Sequence, residues 1–530
     1  MPNPIRLSIA AFLAMSTVAA MAQDNAGGPP RNPFLAADKY AITHFDSSQS
    51  DSFPYAVARG FYHVDLTKEP RIVTGPVNIM TLASTSPNYM WAVSSEGVSY
   101  VDVSNGGFRE IARITAPGQK TISPETHDKV LGQPFTSIEQ VKKLVAENYG
   151  FDWTRTVNGV YSVVDKDNHV YYNTVDGSVV EFGLVDENNP SAGIKVINTA
   201  SMKSFIGPQA HLVGAGMTYD GKFVVASDDG LVAVFDRNLQ GPPQIAHLGS
   251  HDYVSNSFAI DEHGGIYIAS GTTMYKLVWT GSKLSEDPAD GAWTSPYDTG
   301  EVPPAVKFGS GTGSTPTLMG FGDAKDKLVV ITDGADHMHL VAFWRDQIPD
   351  GWKAPPGAKS NRIAGQIAVT AGLKTLPKFI QSEQSVVVNG YGAFVVNNVG
   401  TKGEKDRLID VLTLGPINTP ATGTQRFEWD PQAHRWHSVW ARGDVVSISM
   451  VPSTSSASGI VFVNGYYKKT GWEVTGLDWK TGKTVQRVSF GQSNWGNGAY
   501  AIIQYAPNGD LIFNSVGGPI RVPLKAAQGS

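Results

Sequence analysis

A short apolar run closed by a hydroxyl or amide residue recurs along the chain: YMWAVS (89–94), HVYYNT (169–174), KFVVAS (222–227), GIYIAS (265–270), KLVVIT (327–332), GAFVVN (392–397), GIVFVN (459–464) and DLIFNS (510–515). Several copies follow a turn of the D-G or N-G kind, as in YDGK (219–222), DEHGG (261–265) and PNGD (507–510), with β-prone runs such as SFAI and AYAII upstream. That pattern is a repeated hairpin. A third run often follows, such as LVAVFD (231–236), MYKLVW (274–279) or LVAFW (340–344), so each unit is a three- or four-stranded antiparallel sheet. Sheets spaced 43 to 80 residues apart cannot bury both faces alone, and neighbours must stack. Radial stacking gives a β-propeller. The expected fold is all-β: a single propeller of eight blades, with seven as the alternative count.

The remaining segments are read around this array. Met1 to Ala22 has Arg6 ahead of the apolar stretch SIAAFLAMSTVAAMA and ends in Ala20-Met21-Ala22. That is the pattern of a cleavable secretory signal, too short and wrongly flanked for an anchor. It predicts a periplasmic or secreted protein without a membrane span. Residues 23–75 are expected to pack on or close the propeller, and 76–525 to form it. The longest interval contains TSIEQVKKLVAENYG (136–150), with apolar Ile138, Val141, Leu144 and Val145 on one stripe and Gly150 beyond its end. This predicts the chain's one convincing helix, an insertion covering one face. Residues 280–313, rich in Gly, Pro, Ser and Asp, read as a loop.

Composition removes some function classes. A net charge of −6 argues against a nucleic-acid partner, and Cys 0 excludes thiol catalysis and thiolate metal sites. No nucleophile elbow, P-loop, HExxH motif or dinucleotide fingerprint is present in the sequence.

The pieces STPTLMG (314–320), ASDDGLVAVFD (226–236) and GLDWKTGKTV (476–485) resemble blades of the quinoprotein alcohol dehydrogenase-like superfamily. That resemblance implies a propeller. It does not extend to the cofactor, pyrroloquinoline quinone: the family's adjacent cysteine pair is impossible here, and KTVQRV follows Gly482 where the family commonly has a blade-locking Trp. Blades 217–236 and 258–277 are also similar to those of gluconolactonase-type and strictosidine synthase-like propellers, whose chemistry uses a metal or a few polar residues at the axis.

In a propeller, the loops entering each innermost strand and leaving the second converge around the axial funnel. Loops of the first kind carry His211, His251, Asn256, Glu383, Gln384, Asn494 and Trp495; loops of the second kind carry Asp333, His337 and Asn397. His251 is the candidate general base, with Glu383 and Asp333 as catalytic carboxylates. His211, Asn256, Gln384, Asn397, Asn494 and Trp495 are candidate substrate-binding residues. His337 and His339, two apart on a strand, share one face and are candidate ligands of a divalent metal ion. For each of these a structural hydrogen bond, turn or packing role is the competing reading. His434 and His437 read as structural.

Three function classes remain. One is an exported hydrolase or lyase acting on a small organic or sugar-derived substrate in the funnel, with or without a metal ion. The others are a quinoprotein-like oxidoreductase and a non-catalytic ligand- or partner-binding propeller.

Overall fold

The structure is a computed structural model that describes residues 28–149, 159–250, 252–304, 306–307 and 309–524. Its strands form eight sheets, and each of the eight recurring runs supplies the second strand of one of them. The sheets are numbered here in chain order. In the third, Lys222–Ser227 pairs antiparallel with Leu212–Met217 and with Leu231–Asp236, Val224 lying opposite Gly216 and Val234.

Alternation along the strand explains how the sheets assemble. Successive side chains point to opposite faces, and both faces are covered. In the third sheet, Phe223 and Val225 pack toward the second sheet, while Val224 and Ala226 pack toward the fourth. In the fifth, Val329 and Ile331 meet the fourth sheet, and Leu328 and Val330 meet the sixth. Leu511 and Phe513 of the eighth join the seventh, while Ile512 joins the first. The core is therefore a set of apolar layers between neighbouring sheets, closed into a ring. This is a single β-propeller. The runs are continuously apolar because neither face of a sheet sees water.

The N-terminal segment closes the ring. Residues 70–77 lie along the outer strand of the eighth sheet, Gly518–Val522: the Ile72 N–H donates to the Pro519 carbonyl and the Arg521 N–H to the Pro70 carbonyl, both at 3.0 Å. Ser52–Phe53 and Gly60–His63 pair parallel with the inner and outer strands of the seventh sheet.

Residues 40–53, all buried, thread the axis as a plug. The N–H groups of Ala83, Ile260, Leu318, Val388 and Thr454, on or beside the innermost strands of five sheets, donate to the carbonyls of Tyr40, Ser47, Ser48, Ser50 and Asp51 at 2.7–3.0 Å. The plug thus satisfies edge groups that a propeller's inner rim leaves open. Asp46 ties the coil together, accepting from Lys39 Nζ, Ser48 Oγ and Ser50 Oγ at 2.5 Å each.

Among the described residues, three α-helices lie outside the sheets: α1 (Pro124–Leu131), α2 (Ile138–Asn148) and α3 (Arg407–Thr413). The insertion in the first long interval therefore holds two helices where the sequence predicts one. Ser123 and Ser137 cap them, each accepting from a backbone N–H three residues on. The 280–313 region contains a strand as well, Trp293–Pro296, which pairs with Thr273–Trp279 as a further strand of the fourth sheet.

Candidate active site in the axial cavity

Where the innermost strands begin, a cavity open to solvent lies on the axis. Residues at or just before the innermost strand of every sheet contribute to its wall, from Met80 in the first, through Asn256 in the fourth and Glu383 in the sixth, to Ile502 in the eighth.

The floor comes from the plug. The His44 Nδ1–H donates to Asp51, at 2.9 Å to Oδ1 and 3.1 Å to Oδ2, and the ring stacks on Tyr161 with centroids 5.9 Å apart. Both members of the pair are buried, Asp51 completely. With Nδ1 committed to the carboxylate, Nε2 is the ring nitrogen on the cavity side. Burial pushes the Asp51 carboxyl up, and the neighbouring imidazole opposes that shift.

Glu383 stands on the opposite wall. Its Oε1 accepts from Asn398 Nδ2 and Gln384 Nε2, each at 3.3 Å. Burial raises its carboxyl to about 8, against the smaller opposing effects of Ser449, Asn398, Arg407 and Lys307. At neutral pH it is therefore a protonated donor. Arg407, the first residue of α3, lines the same wall; burial holds its guanidinium below the usual range, and Tyr500, Tyr253 and Glu383 oppose that shift. Behind the wall, buried Lys307 donates to Gln381 Oε1 at 3.1 Å, and desolvation lowers its amine to about 8 while Asp333 and Glu383 pull it back. The Tyr161 hydroxyl donates to Asn256 Oδ1 at 2.6 Å, bridging the second and fourth sheets across the cavity.

Of the residues singled out from the sequence, Asn256, Glu383 and Gln384 line this cavity. The others that the structure describes stand elsewhere. His211 binds Asp228 through Nδ1 and its own N–H. Asn397 is buried, accepting from the Gln381 N–H and donating to the Thr422 carbonyl. Asn494 donates to the Gln133 carbonyl beside α1, and Trp495 is fully buried under the Arg71 guanidinium. His251 lies outside the described residues. The sequence reading missed His44, Asp51 and Arg407. The first two sit in THFDSSQSDSF (43–53), a polar stretch with neither a strand nor a helix period, and Arg407 begins a short helix rich in β-branched residues.

The H-x-H pair divides. The exposed His337 donates through Nε2 to the Pro377 carbonyl at 2.9 Å. His339 Nδ1 binds the buried Asp333 at 2.7 Å. The group whose ligand atoms come within 4.8 Å of one another is Asp298, Asp333 and His339, without His337. Lys359 already sits 3.2 Å from Asp298, so this group has a positive charge of its own.

No protein-family model matches the chain. A protein of Archaeoglobus fulgidus described as uncharacterized is 34% identical over 328 residues, 59% of this chain; the chain spans 60% of that relative's length. Among solved structures, a quinohemoprotein alcohol dehydrogenase from Comamonas testosteroni matches with a TM-score of 0.50 at 12% identity, over 94% of this chain and 82% of its own. A europium-containing methanol dehydrogenase also gives 0.50, at 10% identity, over 90% and 89%. The protein has the propeller fold of the quinoprotein alcohol dehydrogenases. Fold alone does not carry their cofactor. Pyrroloquinoline quinone is a flat polyanion that wants a broad aromatic plane and several cations. Among the described residues the cavity wall offers one guanidinium, Arg407, and no tryptophan. The lining does not fit that group.

Proposed function

We propose that the protein is an exported acid–base enzyme, a hydrolase or lyase, acting on a small organic molecule in the axial cavity. The observation that carries the reading is the pairing of a buried His44–Asp51 dyad with the protonated Glu383 carboxyl around one cavity. His44 Nε2 takes a proton from water or from the substrate. Asp51 holds the tautomer and stabilises the imidazolium that forms. Glu383 gives its proton to the departing oxygen, and Arg407 offsets negative charge on the substrate. Exchange with solvent then restores both groups. The sequence pattern at Met1–Ala22 supports export.

The test is a turnover screen of small esters, lactones and hydroxy acids by proton NMR, with wild type, His44→Asn and Glu383→Gln. The reading expects at least one compound to be converted, and each substitution to slow it about 10²–10⁴-fold. A compound converted equally well by both variants would place the chemistry elsewhere. Tight binding of a compound that is never altered would favour a binding propeller.

A further inference from the structure

The wall of the axial cavity is sorted by position around the ring. Sheets seven, eight, one, two and three are consecutive, and they present Val451, Ile502, Val77, Met80, Val160 and Val213. Asn78, Tyr161, Ser449 and Tyr500 interrupt this arc. The facing arc, sheets four to six together with α3, presents Asn256, Glu383, Gln384 and Arg407. Among the cavity-lining residues, Gln384 Oε1, Ser449 Oγ and Tyr500 Oη are buried oxygens without a hydrogen-bond partner among the described residues. Unmet buried polar atoms beside an open cavity are what a ligand's polar end would satisfy. Tyr500 holds its place with a φ of 55°, a strained conformation for a bulky residue of the kind found in ligand clamps.

The charges narrow the ligand further. Glu383 is neutral at pH 7, because its carboxyl titrates at about 8. Asp51 lies beneath the lining, bonded to the His44 ring. Arg407 is the guanidinium among the lining residues.

We infer that the cavity takes an amphipathic organic acid with a single negative charge, its carboxylate against Arg407, Gln384 and Tyr500 and its apolar body against the aliphatic side chains from Val451 to Val213. A sugar would leave that apolar arc in contact with hydroxyls, and a polyanion would outnumber the cations. This deepens the acid–base reading and shares its site, but it concerns which molecule binds and not what happens to it.

The experiment is calorimetric titration of the full chain with acetate, butyrate, hexanoate, hexanamide and citrate at pH 7, alongside Arg407→Gln and Val213→Asn. Affinity should rise about fourfold per methylene from butyrate to hexanoate. Hexanamide and citrate should each bind at least about tenfold more weakly than hexanoate. Arg407→Gln should remove the preference for hexanoate over hexanamide, and Val213→Asn should flatten the chain-length series. Equal affinity along the acid series, an amide that binds as well as its acid, or citrate as the tightest ligand would each overturn the inference, and these comparisons stand on wild type alone if a variant fails to fold. Binding of these acids is read without any turnover. Loss of turnover with binding intact therefore bears on the catalytic reading, and loss of the chain-length dependence bears on this one.

Discussion

His337 and His339 stand two residues apart in one motif and meet opposite surroundings. His337 is exposed and touches a single carbonyl, whereas His339 is the partner of Asp333, which is 1% exposed. Replacing His339 with Ala leaves Asp333 with only the backbone donors at Ala335 and residue 339. That should cost about 1–3 kcal/mol, while His337→Ala should stay within about 0.5 kcal/mol of wild type. Urea denaturation of the two variants checks this. The pH dependence has a fixed sign. Asp333 raises the His339 pKa, so the pairing contributes fully below the free-histidine value of about 6.5 and fades as pH rises through the higher folded value. The difference between wild type and His339→Ala should shrink in the same direction. The sequence brought these histidines forward because H-x-H spacing is visible in one dimension. Which of them meets a carboxylate depends on the loop at Asp333, which spacing does not report.

At the scale of elements, the strands were legible and the coil was not. All eight second strands fall on recurring runs because burial on both faces writes a continuous apolar segment into the sequence. The plug has no such signature. Its carbonyls bond mostly to amides hundreds of residues away, and many of its side chains are polar although buried, so hydropathy reads residues 43–53 as a surface loop. α1 escaped for a similar reason: PETHDKVL carries its buried aliphatic residues, Val130 and Leu131, only at the last turn. The plug's stability rests on Asp46, which gathers Lys39, Ser48 and Ser50. Asp46→Ala would leave a half-buried ammonium and two buried hydroxyls without their acceptor and should destabilise the fold by about 1–3 kcal/mol. Because the plug also carries His44 and Asp51, a milder defect would show as lost ligand binding before lost secondary structure. A variant with unchanged melting temperature would mean that the plug is held by its backbone bonds alone.

For the molecule as a whole, the ring and the plug divide the work. The sheets are rigid, closed by residues 70–77 along the eighth sheet, and they bring one segment of each sheet to a common axis. The plug closes that axis beneath the cavity and supplies the dyad. Loop addresses in the repeat were enough to bring Asn256, Glu383 and Gln384 to one site, because a propeller converts position in the repeat into position around the axis. They could not supply His44, Asp51 or Arg407, which come from outside the repeat. The solved alcohol dehydrogenases share the fold, and fold alone does not carry their chemistry. The central claim is that Glu383 acts as a proton donor in this cavity. The direct measurement is kcat/KM against pH for wild type and Glu383→Gln, since that profile reports the free enzyme's titrating groups. With the carboxyl at about 8, wild type should lose activity as pH rises through that value and the donor ionises, whereas Glu383→Gln should be slow and show no such limb. The same fall near pH 8 in Glu383→Gln, or no fall in wild type, would contradict the account.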